Sequence, residues 1–188
     1  MKPALLIIDM LKDFVDEDGA LHIPESRRII PVIRKIKDTL KGRGVPVLYL
    51  NDAHAADDPE FADWPPHAVR GSKGAEVIPE LAPEEGDMVI EKVRIKSFDQ
   101  PEVPAKLDEL GADYLIVTGV ATDYCVRETA LEARQRGLAV TIIEDAVAGI
   151  ERVPGDIERV KEELRLAGAQ FLSSQELLGD LQGRVHAA

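Results

Sequence analysis

Reactive sulfur is nearly absent from this chain: its 188 residues include one cysteine, Cys125. A single thiol cannot close an intramolecular disulfide, which argues against a secreted, cross-linked scaffold. Positive charge is also scarce. Twenty-three Lys and Arg stand against 35 Asp and Glu, for a net charge of −12. That balance disfavours the basic surface that nucleic acids and anionic lipids require, so neither is an expected partner. No apolar run approaches the ~20 residues of a membrane-spanning helix. The opening MKPALLIIDMLKDF meets Asp9 too early for a signal peptide. There is no P-loop and no dinucleotide fingerprint, and there are no repeats or low-complexity tracts. The 45% hydrophobic content then suits one globular domain, residues 1–188, expected in the cytoplasm.

What is present is alternation. Apolar runs of strand length lie at 4–9, 45–50, 88–92, 113–119, 138–145 and 169–173. Helical spacing marks 25–41, where Ile29, Ile30, Ile33, Ile36 and Leu40 recur, and Pro31 falls early enough to be tolerated. Further helices are expected at 102–110, 122–136 and 157–167, the last with Asp156 as its N-cap. A long polar region spans 51–87, and the final dozen residues read as a loose tail. Strands apolar on both faces, alternating with helices, predict an α/β fold: three layers, α/β/α, around a central, mostly parallel six-stranded sheet. Ligands bind such sheets at the carboxyl ends of the strands. Asp9, Asp52, His54, Lys92 and Cys125 all fall on that edge.

A lone cysteine is most often a small buried hydrophobe. Cys125 instead stands where strand YLIVTG gives way to helix VRETALEARQRG. Thr122 or Asp123 can cap that helix, placing Cys125 in a first turn whose partial positive charge favours thiolate. Free amides there can hold an oxyanion. No histidine is well placed to activate the thiol. Asp9 as base and Lys92 as its orienting partner can serve together, although each alone reads as an ordinary solvated residue.

The set IIDMLKDF (7–14), VIEKVRIKSF (89–98) and GVATDYCV (119–126) resembles the isochorismatase-like cysteine hydrolases, the superfamily that contains nicotinamidases. The likeness spans about residues 3–175. It implies a catalytic triad of Cys125, Asp9 and Lys92. It also implies a cis peptide between Val120 and Ala121, and an oxyanion hole from the amides of Ala121 and Cys125. Asp52 and His54 share one side of an extended backbone, and His67 follows thirteen residues later. Two histidines and a carboxylate leave open positions, as catalytic metal sites do, but on spacing alone they read as polar loop residues. The D-x-H, then W-P-P-H (64–67), then GSKGAE (71–76) is most similar to nicotinamidases and pyrazinamidases. That similarity implies a divalent metal on Asp52, His54 and His67, zinc first, with iron or manganese as alternatives. Phe14, Trp64 and Tyr124 would then wall the substrate.

The family pattern is broken in places. Leu11 replaces a usual glutamine, DEDG (16–19) a usual P-G-G, and Ala53 a frequent tryptophan. Ile95 and Lys96 replace an aromatic and a serine. These changes touch the pocket rather than the triad. The expectation is hydrolysis of a small amide, nicotinamide to nicotinate and ammonia, through a cysteine thioester, by a homo-oligomer. The alternative is a metal-free hydrolase of the same superfamily acting on a carbamoyl amide or on isochorismate.

Overall fold

The computed structural model describes residues 1–183. Six strands form the frame: β1 Pro3–Ile8, β2 Val47–Asp52, β3 Met88–Lys92, β4 Tyr114–Val120, β5 Ala139–Ala148 and β6 Gln170–Leu172. They lie in the order β3-β2-β1-β4-β5-β6, and every neighbouring pair is parallel. The helices are α1 Lys12–Val15, α2 Ile30–Lys41, α3 Glu102–Leu110, α4 Arg127–Gln135, α5 Asp156–Leu166 and α6 Ser174–Gly183.

Alternation along each strand sends side chains to two separate cores. Leu5, Ile7 and Tyr49 pack with Ile33, Ile36 and Leu40 of α2 and Leu177 of α6. Leu6, Ile8, Leu48 and Leu50 pack with Leu107 of α3, Ala130 and Ala133 of α4, and Leu164 of α5. The sheet is therefore covered on both faces, giving the expected three layers. Among the described residues, no helix is long and apolar enough to cross a membrane.

Several element boundaries differ from the sequence expectation, among them β5, which runs to Ala148. The helix expected from residue 25 starts at Ile30, because Glu25 sits at φ 66°, outside helical space, and the chain turns through 25–29. Asp156 is not the N-cap of α5. Gly155, at φ 88°, holds that position, and the Asp156 carboxylate reaches back to the Val153 amide at 2.9 Å. The part of the expected loose tail that lies within the described residues, 177–183, belongs to helix α6; residues 184–188 lie outside them. Ser173 and Glu176 cap the helix reciprocally, the Ser173 amide donating to the Glu176 carboxylate (2.8 Å) and the Glu176 amide to the Ser173 hydroxyl (3.2 Å). Leu177 and Leu178 are buried beneath it. His186 lies outside the described residues.

One buried cation anchors the first crossover. Lys37 on α2 is fully buried; its Nζ lies 2.8 Å from Asp87 Oδ2 and donates to the Ala82 carbonyl at 3.2 Å. The same ammonium sits over the Tyr49 ring, 5.4 Å from its centroid. Burial alone would raise the Asp87 pKa, but Lys37 and Lys41 outweigh it and hold the carboxyl below its usual value. A carboxylate depressed in the folded state stabilises the fold above its unfolded pKa, and that contribution fades as pH falls through the folded one. Lys37→Met should therefore destabilise the protein by ~3 kcal/mol. That is the low end for breaking a buried pair, because Lys41 and the Glu84 amide still hold Asp87. The loss should shrink in acid. Urea unfolding at neutral and acid pH would measure it, and an unchanged midpoint would refute the anchoring role.

Candidate active site

The site begins with register. Parallel pairing sets Asp52 opposite Lys92 and Ile8 opposite Gly119. β2 continues two residues past the expected end, so Asp52 is a strand residue rather than the first of a loop. α2, after β1, covers one face of the sheet, and α4, after β4, covers the other. The crevice where adjacent connections part is where open α/β sheets bind ligands. Asp9, at φ 51°, turns the chain out of β1 into that crevice, and Cys125 follows β4 into it from the other side.

Lys92 lies at the centre. Its side chain is buried, and its Nζ donates to Asp9 Oδ2 at 2.9 Å, forms a short ion pair with Asp52 Oδ1, and reaches Cys125 Sγ at 3.5 Å. Asp9 Oδ1 accepts the Asp52 amide at 2.7 Å. The Cys125 sulfur and carboxylate oxygens of Asp9 and Asp52 all lie within 4.8 Å of one another. Burial, and then the charge of Asp52, raise the Asp9 pKa to about 6 against the opposing pull of Lys92. Asp52 is held below its usual value, because Lys92 and His54 outweigh its burial. For Lys92 the two carboxylates outweigh burial, and its pKa stands well above the usual lysine value. The charged ammonium is therefore favoured here.

The cysteine turn is wound more widely than an α-helix. It spans Thr122–Val126, follows a cis peptide between Val120 and Ala121, and sends the Tyr124 and Val126 amides to the Ala121 carbonyl at 3.0 and 3.1 Å. Neither Thr122 nor Asp123 caps it. Asp123 instead accepts the amides of Ile150 (3.0 Å) and Glu151 (2.8 Å), tying the turn to the loop after β5. Thr129 donates to the Cys125 carbonyl at 2.6 Å and is itself 2.7 Å from the Ser97 hydroxyl. The expected bias toward thiolate is also reversed at rest. Burial, together with Asp9 and Asp52, pushes the Cys125 thiol well above its ordinary value, although Lys92 opposes this. The resting sulfur is a thiol beside a carboxylate able to accept its proton.

Asp52, His54 and His67 do converge, all buried, with one ligand atom from each within 4.8 Å of the others. His67 Nδ1 lies 2.8 Å from the Pro65 carbonyl, which only accepts, so Nδ1 carries the proton and Nε2 the lone pair. His54 Nε2 is buried with no hydrogen-bond partner, 3.8 Å from Asp52 Oδ2. An orphaned buried nitrogen beside a second imidazole and a carboxylate fits a divalent cation. The electrostatics agree. Burial disfavours charge on His54, yet Asp52 and Asp58 raise its pKa to about 9. Without a metal, the pocket draws a proton to the place a cation would fill.

A small cavity opens onto both groups and is lined by Asp9, Cys125, Asp52, Glu60 and His67. Phe14, Trp64 and Tyr124 line it as expected, with the Trp64 and Tyr124 rings edge to face at 5.2 Å. Ile95 lines it too, whereas Leu11 is fully buried in the core and Lys96 is exposed. Of the departures from the family pattern, Ile95 thus bears directly on the cavity. Sequence reasoning missed Glu60, the half-buried carboxylate on the cavity wall, and Phe61, whose ring packs on both His54 and His67 at 5.5 and 5.7 Å. It also missed Asp58, which sits 3.1 Å from His54 Nδ1.

A buried thiol, carboxylate and ammonium at the switch point of a parallel sheet define a hydrolase class that the comparisons narrow. Residues 3–176 match the Isochorismatase domain. The chain belongs to the isochorismatase family. It is 31% identical to the nicotinamidase of Escherichia coli, over 88% of this chain and 92% of that one. Among solved structures it resembles N-carbamoylsarcosine amidase from Thermoplasma acidophilum (36% identity, 93% and 97% of the chains, TM-score 0.83). It also resembles pyrazinamidase of Pyrococcus horikoshii in complex with zinc (32% identity, 92% and 99%, TM-score 0.85).

At Gly119, β4 lies against the backbone of Ile8 in β1. The glycine sits at φ 108°, and a Cβ there would collide with the Ile8 carbonyl oxygen. Gly119→Ala should push β4 from β1 and separate Asp9 from Cys125, lowering both melting temperature and turnover. A variant with wild-type melting and wild-type rate would show that this approach is not needed.

Proposed function

We propose that this chain is a metal-dependent cysteine amidohydrolase that converts nicotinamide to nicotinate and ammonia. One observation carries the reading: Asp52 and His67 line the same cavity as Cys125 and Asp9. A substrate whose amide faces the thiol can therefore present a ring nitrogen to the metal set. Asp52, His54 and His67 would hold the metal, which when bound supplies a Lewis acid for that lone pair. The named relatives support the assignment: a nicotinamidase, and a pyrazinamidase holding zinc.

The chemistry follows from the buried cluster. Cys125 Sγ attacks the carboxamide carbon as Asp9 takes the thiol proton, with Lys92 holding the carboxylate in place. The amides of Ala121 and Cys125, both at the cavity wall, receive the developing oxyanion. Asp9 returns the proton to the leaving nitrogen, and ammonia departs from a thioester. Asp9 then removes a proton from water as it attacks, releasing the acid and restoring the thiol. Because the resting sulfur is protonated, proton transfer and attack must be coupled, and the raised pKa of Asp9 makes it a base suited to that step.

A second reading is hydrolysis of a carbamoyl amide. The likeness to N-carbamoylsarcosine amidase favours it, as does Ile95 on the cavity wall where the nicotinamidase pattern has an aromatic. Ammonia release from nicotinamide, pyrazinamide and carbamoyl amides separates the two. Nicotinamide turnover should vanish with a chelator, return with zinc, and fall by ~10³-fold or more in Cys125→Ala while the fold survives. An enzyme free of metal, fast on a carbamoyl amide and inert to nicotinamide, would move the assignment to the second reading.

The base also sets a pH signature. Asp9 must be ionised to accept the proton, so kcat/KM should fall about tenfold per unit as pH drops below its pKa of about 6. The profile should level above that point, since Lys92 stays charged well beyond it. A cation held by Asp52 would move this limb to lower pH, so only a profile flat down to roughly pH 3 would exclude Asp9 as the base.

A further inference from the structure

We propose that Asp58 is a positioning residue for the metal, fixing His54 so that Nε2 presents its lone pair toward Asp52 and His67; the proposal rests on the metal reading above. The two oxygens of Asp58 do different things. Oδ1 accepts the Glu60 amide at 2.9 Å and so caps the short 3-10 turn Pro59–Ala62. Oδ2 lies 3.1 Å from His54 Nδ1. A carboxylate accepts, so Nδ1 keeps its proton, and Nε2 is the nitrogen whose lone pair a cation would take in place of the second proton. Nε2 is the buried ring atom without a hydrogen-bond partner.

The rest of the segment acts as a splint. The Asp58 amide donates to the Ala55 carbonyl at 3.1 Å, and the Phe61 amide returns to the Asp58 carbonyl at 3.0 Å. Phe61 then lays its ring edge-on to His54 and against His67. The Asp58 side chain is only 10% exposed, so water competes little for the contact. His67 receives the same treatment from a different acceptor, the Pro65 carbonyl. Both imidazoles thus have Nδ1 occupied by protein and Nε2 free, with ring centroids 4.9 Å apart. Outer acceptors of this kind orient ligand histidines and raise their basicity.

Two full-length variants test this. Asp58→Ser keeps a side chain able to cap the turn but too short to reach the imidazole. Asp58→Asn keeps the shape but has one acceptor oxygen for two donors. Zinc affinity, measured by competition with a chromogenic chelator, should weaken by ~10–100-fold in both, with melting of the metal-free Asp58→Ser unchanged. In the zinc-loaded wild type, proton–nitrogen NMR should show a protected His54 Nδ1–H that exchanges freely in Asp58→Ser. Variants that bind zinc within roughly twofold of wild type, or a His54 ligating through Nδ1, would overturn the positioning role while leaving the metal site standing. A wild-type protein that takes no zinc at Asp52, His54 and His67 would overturn both.

Discussion

The site depends on one buried ammonium. Lys92 contacts the carboxylates of Asp9 and Asp52 and the sulfur of Cys125, and so joins side chains from the ends of β1, β2 and β3 and from the turn after β4. Such a cluster is a poor way to gain stability, because desolvating three charges offsets most of their attraction. Its effect is on reactivity. Two carboxylates and a thiol share this one ammonium in a dry place. The response is a thiol that stays protonated and an Asp9 that binds a proton near neutrality.

The fold supplies this arrangement through backbone geometry more than through side-chain packing. Parallel register fixes Asp52 against Lys92. The approach of β1 and β4 requires a glycine at 119, and Asp9 leaves its strand in a left-handed conformation that turns it toward the crevice. The wide turn at 122–126, held by Thr129 on the Cys125 carbonyl and by Asp123 on the loop after β5, then sets the thiol opposite Asp9. These supports draw on β1 to β4 and on the loop after β5, so the site assembles from segments far apart in the chain.

Much of this was legible in the sequence, for identifiable reasons. Parallel strands buried on both faces leave continuous apolar runs, and the six runs correspond to the six strands. The site motifs sit at strand ends, where fold class predicts ligands. What stayed hidden lacked a local signal. Glu25 carries no mark of its positive φ, so α2 was extended through ESRR. Lys37 reads as one more polar residue on an amphipathic helix, though it is fully buried against Asp87. Asp58 and Phe61 stand in a polar run without periodicity, and only the fold brings them to His54. The capping box Ser173–Glu176 does carry a local signal, a Ser followed three residues later by Glu.

Asp52 belongs to both halves of the site, and this limits how independent they are. Oδ1 pairs with Lys92, while Oδ2 faces His54. Its negative charge is, after burial, the main reason the Asp9 pKa is raised. Any positive charge gathered by Asp52, His54 and His67 therefore draws on the same carboxylate that tunes the base beside the thiol. By reciprocity, what eases cation binding at the histidines also eases ionisation of Asp9, and the reverse holds equally. Asp9 and Asp52 are both buried, so water screens that link little. A cation at the histidines and the proton on Asp9 would thus be coupled through a single buried side chain, with no change of backbone conformation required.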